Sequence, residues 1–161
     1  MSDFGNLTNV PGMVDTKREA EGDWFDHEKI EGFIDVLVNE EGYGLLAVKV
    51  CSRFTAAYRR QEQEVHASAI NKPTKERLGY ITDEVAKLNA KNCVVDWEFT
   101  DNDGKEIPFS LEVVDQIYNS EGEKGILIYR FHRAFIESAI AELHTKVERQ
   151  REEDEGKSVS A

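Results

Sequence analysis

Apolar residues recur at helical spacing over most of the chain after residue 50. Phe54, Ala57, Tyr58 and Val65 fall on one face of a helix that would start at an N-capping Ser52. Asn71-Lys72-Pro73-Thr74 ends that helix and caps the next, because proline disfavours helix in the residue before it and is tolerated in the first turn. Leu78, Ile81, Val85 and Leu88 then form a stripe running to about Asn92. Ser110 caps a short helix with Leu111, Val114, Ile117 and Tyr118 inward, and Asn119 to Gly122 breaks it. The longest helix covers roughly 124–150, where Ile128, Phe131, Phe135, Ile136, Ile140, Leu143 and Val147 make one continuous apolar stripe.

The earlier part of the chain has the composition of strands. Trp24 and Phe25 open a short strand, and Glu28 to Gly32 reads as a turn. FIDVLV at 33–38 is rich in β-branched residues and predicts a second strand. After a loop at Asn39 to Gly44, LLAVKV at 45–50 predicts a third, with Leu46, Val48 and Val50 on one face. Residues 1–22 mix glycine, asparagine, proline and charge without a period, which predicts a flexible N-terminal arm. From Glu148 onward, ERQREEDEGKSVSA predicts a disordered charged tail. The reading is therefore α+β: a small N-terminal antiparallel β-sheet followed by about four α-helices, the C-terminal one longest. Residues 23–147 would form a single domain.

Composition narrows the function. The 161 residues carry a net charge of −12, so free nucleic acid is not an expected partner: its phosphates would be repelled. The acids gather in residues 15–41 and 96–123, while 52–77 is locally basic. An acidic surface keeps a chain soluble and steers it toward basic partners. No apolar run approaches the roughly 20 residues of a membrane span, and the N-terminus lacks the basic flank and apolar core of a signal peptide. No membrane association is expected. Cys51 and Cys93 sit beside apolar residues and read as small core hydrophobes of a reduced compartment.

Candidate chemistry is sparse. In NCVVDWEFTDNDGKEIPFS (92–110), Asp101, Asp103 and Gly104 resemble the middle of a calcium loop. Counting from Gly104, the first ligand position is Phe99 and the twelfth is Ser110, so two key ligands are missing. Thr100 to Gly104 is better read as a tight turn in which Asp and Asn bond their own backbone and glycine supplies positive φ. Asp96 and Glu98 would share a face of an extended segment as paired carboxylates, but no nucleophile or base accompanies them. Val94, Val95, Trp97 and Phe99 are the side chains expected to be buried there. Gly42-x-Gly44-x-x-Ala47 matches a loose dinucleotide fingerprint, yet a strand follows it where a helix is required. His27, His66, His132 and His144 lack zinc spacing and read as surface or half-buried. No cofactor, metal or catalytic residue is expected.

The order of these elements resembles a known family. Gly-Asp-Trp precedes a short sheet, an Arg-bearing helix (SRFTAAYRR) follows, and a Lys-rich helix ends in NCVVDWEF. DNDGKEIPFS, a short helix and a helix with Phe131 and Phe135 complete it. This is similar to the tail assembly chaperones of long-tailed bacteriophages. There a helix runs into Val-x-Asp-Trp, then an Asp-Gly-Lys-x-Ile-Pro-Phe turn, then a short helix starting at Ser or Thr. Val94, Asp96, Trp97, Asp103, Gly104, Lys105, Ile107, Pro108, Phe109 and Ser110 match that pattern. The resemblance implies a non-enzymatic chaperone of the host cytoplasm. It would bind the tape measure protein, keep that long apolar helical chain soluble, help recruit the major tail tube protein, and leave before the virion is complete. It also implies a possible frameshifted longer form of the chain, extending from the tail at Glu148. Trp24, Phe25, Tyr43 and Tyr129 are the side chains expected to offer the partner an apolar contact. Two other readings are an acidic DNA mimic that blocks a host DNA-binding protein, and a structural virion tail protein.

Overall fold

A computed structural model describes residues 17–26, 29, 44–101 and 103–159. The elements run α1 (Lys17–Glu21), β1 (Asp23–Asp26), β2 (Leu45–Val50), α2 (Ala56–Ala69), α3 (Thr74–Asn92), β3 (Val94–Phe99), α4 (Leu111–Tyr118) and α5 (Gly122–Val159). The strands pair antiparallel in the order β1-β2-β3. The architecture is α+β, with α5 the longest helix, as the periodicity predicts.

Strand alternation sets the inner face of the sheet. Val48 lies opposite both Phe25 and Trp97, and all three are buried. One residue along, Lys49 lies opposite both Trp24 and Asp96, and this row faces outward. A register irregularity between Lys49 and Val50 leaves Val95 as the extra residue, which turns it to solvent. Val95 is thus an exception to the burial expected of Val94, Val95, Trp97 and Phe99. The other three do face the core, with Phe99 half-buried against it.

The inner face packs on α5. Phe131, Phe135, Ile136, Ala139, Ile140 and Leu143 are all essentially fully buried, and Val147 continues the stripe. Ser110 caps α4 as expected, its hydroxyl accepting from the Val113 N–H at 3.1 Å. Val114 and Ile117 turn inward, whereas Leu111, expected inward, is exposed in the first turn. Lys91 on α3 and Asp115 on α4 are 2.7 Å apart, and the hydrogen bond from Lys91 holds the Asp115 carboxyl below its usual range.

Three sequence expectations change. The cap of α2 is Thr55, not Ser52: Thr55 Oγ1 accepts from Tyr58 N–H at 3.1 Å. Ser52 is instead buried at the end of β2, accepting from Phe54 N–H and meeting His144 Nε2 at 3.4 Å. Phe54 therefore precedes the helix and stacks on His144 at 4.4 Å while remaining 65% exposed. Leu78, placed on the inner stripe of α3, is 76% exposed. It lies beside the α2–α3 turn, where residues 70–76 are all exposed. Arg77 ties that turn together by donating to the Ile70 and Lys72 carbonyls.

Helix also occupies parts of the expected arm and tail. Residues 17–21 of the expected arm form α1, and its Glu19 is buried beside Arg151 at 2.5 Å. That contact lies on α5, which continues as helix through the expected tail to Val159. The Glu19 carbonyl also accepts from Ser52 N–H at 3.0 Å. The strand expected at 33–38, His27 and all of the expected turn at Glu28 to Gly32 except Lys29 lie outside the described residues. The third strand of the sheet is β3, which arrives only after two helices.

Candidate functional site

The residues from Val94 to Ser110 converge on one place. β3 runs out of α3 and ends in a turn built by Asp101. Its carboxylate accepts from the N–H groups of Asp103 and Lys105, both at 2.9 Å. Its own N–H donates to the Lys105 carbonyl at 2.8 Å, and Gly104 takes φ +79. The carboxylate is thereby committed to the backbone of the turn, in the manner of an Asx turn.

The chain then returns along the outer edge of β3. Thr100 and Glu106 form an antiparallel bridge, and Ile107 N–H donates to the Phe99 carbonyl at 2.8 Å. Pairing stops at Pro108, which has no N–H to give. The Trp97 indole N–H donates to the Ile107 carbonyl at 2.8 Å and fixes the return segment at that distance. Phe109 packs edge-on against the Trp97 ring at 4.9 Å, and Ser110 begins α4.

Between β3 and the return segment lies a cleft of about 470 Å³. Trp97, Phe99, Ile107, Pro108 and Phe109 supply its apolar surface, and Asp96, Glu98 and Glu106 supply carboxylates. Asp96 and Glu98 belong to one face of the strand, Trp97 and Phe99 to the other. A cleft lined from both faces runs along the strand's edge.

Beneath the two aromatics sits His132, which the sequence suggested would be at or near the surface. It is fully buried, edge-on to Trp97 at 5.1 Å and to Phe99 at 5.3 Å. Neither ring nitrogen has a hydrogen-bond partner among the described residues. Burial lowers its pKa to about 3, so the ring is neutral near pH 7. A signal for this was present in the sequence: His132 lies four residues before Ile136, on the buried side of the longest helix.

Of the four side chains expected to meet a partner, the three described ones lie apart from one another. Phe25 is fully buried in the core with Lys146 Nζ 4.8 Å from its ring, so it offers no surface. Trp24 is half-buried on the outer sheet face. Tyr129 is half-buried at α4 and α5, edge-on to Tyr118 and accepting from Arg133 at 3.1 Å. Tyr43 lies outside the described residues. None of the other three lines the cleft.

Chemistry at the remaining candidates is muted. Burial raises the Cys51 thiol and pushes Cys93 up to about 12, which suppresses the reactive thiolate. Gly44 of the loose fingerprint takes φ +57 where the chain passes Thr100, and its carbonyl accepts from Thr100 N–H at 3.0 Å. Its role is close strand approach. Among the described residues no three His, Cys, Asp or Glu side chains are grouped to hold a metal, and no helix is long and apolar enough to cross a membrane. Comparison with protein-family models, with curated proteins and with solved structures found no match.

Proposed function

We propose that this chain is a tail assembly chaperone of a long-tailed bacteriophage. It would hold apolar segments of the tape measure protein in solution while the tail tube assembles around them. One observation carries the reading. The residues on which the resemblance rests form a single unit, and the unit leaves an apolar cleft open to solvent between carboxylates. An apolar cleft rimmed by charge suits a protein that covers another chain's hydrophobic surface and stays soluble while bound. The exposed Ile70 and Leu78 at the far end of the α2–α3 pair offer a second, smaller apolar patch. The high acid content suits a partner with basic segments. On this reading the protein carries out no reaction, acts in the host cytoplasm, and departs before the virion is complete.

The test is co-expression with the tape measure protein of the same phage. The expected result is a soluble tape measure protein that co-purifies with this chain. A partner that remains insoluble, with no complex recovered, would contradict the proposal.

A further inference from the structure

We propose that the cleft takes an extended peptide segment in which lysine or arginine alternates with aliphatic side chains, added as a further strand on the outer edge of β3. This holds whichever protein supplies the segment, so it goes beyond the tail-assembly reading and differs from a helix lying in a groove.

The backbone points to this mode. The Phe99 carbonyl faces the return segment, since it accepts from Ile107 N–H. With a period of two, the Trp97 N–H and carbonyl face the same way, while Asp96 and Glu98 pair with Lys49 and Ala47 of β2. Pro108 halts the return segment before it reaches Trp97, and no described backbone group pairs with that edge of Trp97. Its N–H is covered by the Asp96 carboxylate at 2.8 Å, standing where a neighbouring strand's carbonyl would stand. Edge strands commonly carry such protection against adventitious pairing. The same arrangement occurs on the opposite edge of the sheet, where Asp23 covers the Trp24 N–H at 2.9 Å.

The side chains specify the occupant. A strand added beside β3 presents alternate residues to the two sides of the cleft. One side offers Phe99, Ile107 and Phe109 over the largely buried Trp97 ring, which suit aliphatic groups; the other offers Asp96 and Glu98, which suit cations. Neither Glu98 nor Glu106 has an ion pair with any other described residue. When the incoming carbonyl takes the Trp97 N–H, the Asp96 carboxylate is released to meet a cation on the incoming strand. Backbone pairing and charge neutralisation are thus coupled through one residue.

The probe is a blocked hexapeptide of alternating Lys and Val, titrated into the isotope-labelled full chain and followed by amide and indole resonances. Saturable shifts centred on the Trp97 amide and indole are expected. Affinity should fall at least tenfold for the exposed double variant Glu98→Lys/Glu106→Lys. It should fall comparably for a peptide N-methylated at alternate residues, which keeps the charge but loses backbone donors. Raising salt with the unmodified chain gives the electrostatic readout independently of any variant. The proposal is overturned by absent saturation at Trp97, by N-methylated peptide binding as well as the parent, or by indifference to both salt and charge reversal. A result of either kind leaves the co-expression experiment to stand or fall by itself.

Discussion

His132 is a neutral imidazole with no hydrogen-bond partner among the described residues, wedged against Trp97 and Phe99. Its folded-state pKa of about 3 lies below the ordinary 6.5. The unfolded chain therefore binds a proton that the folded chain refuses. Stability from this group is full above 6.5 and falls as pH drops toward 3, by about 1.4 kcal/mol per unit. Replacing His132 with Leu removes the term. Denaturant unfolding at pH 7 and pH 5 should show the variant losing about 2 kcal/mol less than the parent across that interval. Equal losses would mean that the ring is hydrated or bonded in solution. Gly44 makes a second test. A Cβ there would stand 1.9 Å from the Thr100 carbonyl oxygen, in a backbone conformation that L residues rarely adopt. Gly44→Ala should cost about 2 kcal/mol or more in the same assay.

Among the elements, α1 is held by a contact between distant parts of the chain. The buried Glu19 carboxylate meets Arg151 on α5, and the Glu19 carbonyl accepts the Ser52 N–H. Removing Arg151 leaves Glu19 without that partner in a dry site, which is costlier than removing an exposed pair. Arg151→Ala should speed exchange of the Ser52 amide about tenfold or more while leaving amides in the centre of α5 unchanged. The α2–α3 turn behaves oppositely. Leu78 is exposed, so Leu78→Lys should change stability by less than about 0.5 kcal/mol. Helix positions were largely legible in the sequence because their signals are local: the Ser110 cap, Pro73, and stripes of period 3.6. Strand β3 was read only as an extended segment. Its partner β2 lies more than forty residues earlier, and nothing local announces that pairing. The misplacement of Leu78 has a related cause. Periodicity shows which face of a helix is apolar, but not how far along the helix the core extends.

For the molecule as a whole, the site was half legible. The run from Val94 to Ser110 stood out as a unit, and its turn chemistry followed from Asp101 and Gly104. The cleft did not follow, because it depends on where Pro108 releases the return segment and on the Trp97 indole reaching the Ile107 carbonyl. Phe25 looked like a surface aromatic because a short strand gives little alternation from which to tell its two faces apart. An acidic chain with an open apolar cleft has the physical means to cover a basic, hydrophobic partner without precipitating. The most direct test compares hydrogen exchange of this chain alone and in complex with the tape measure protein. New protection is expected in residues 95–99 and 106–109, with the remaining surface little changed. Failure to form a complex, or protection confined to other surfaces, would contradict the claim that this cleft holds the partner.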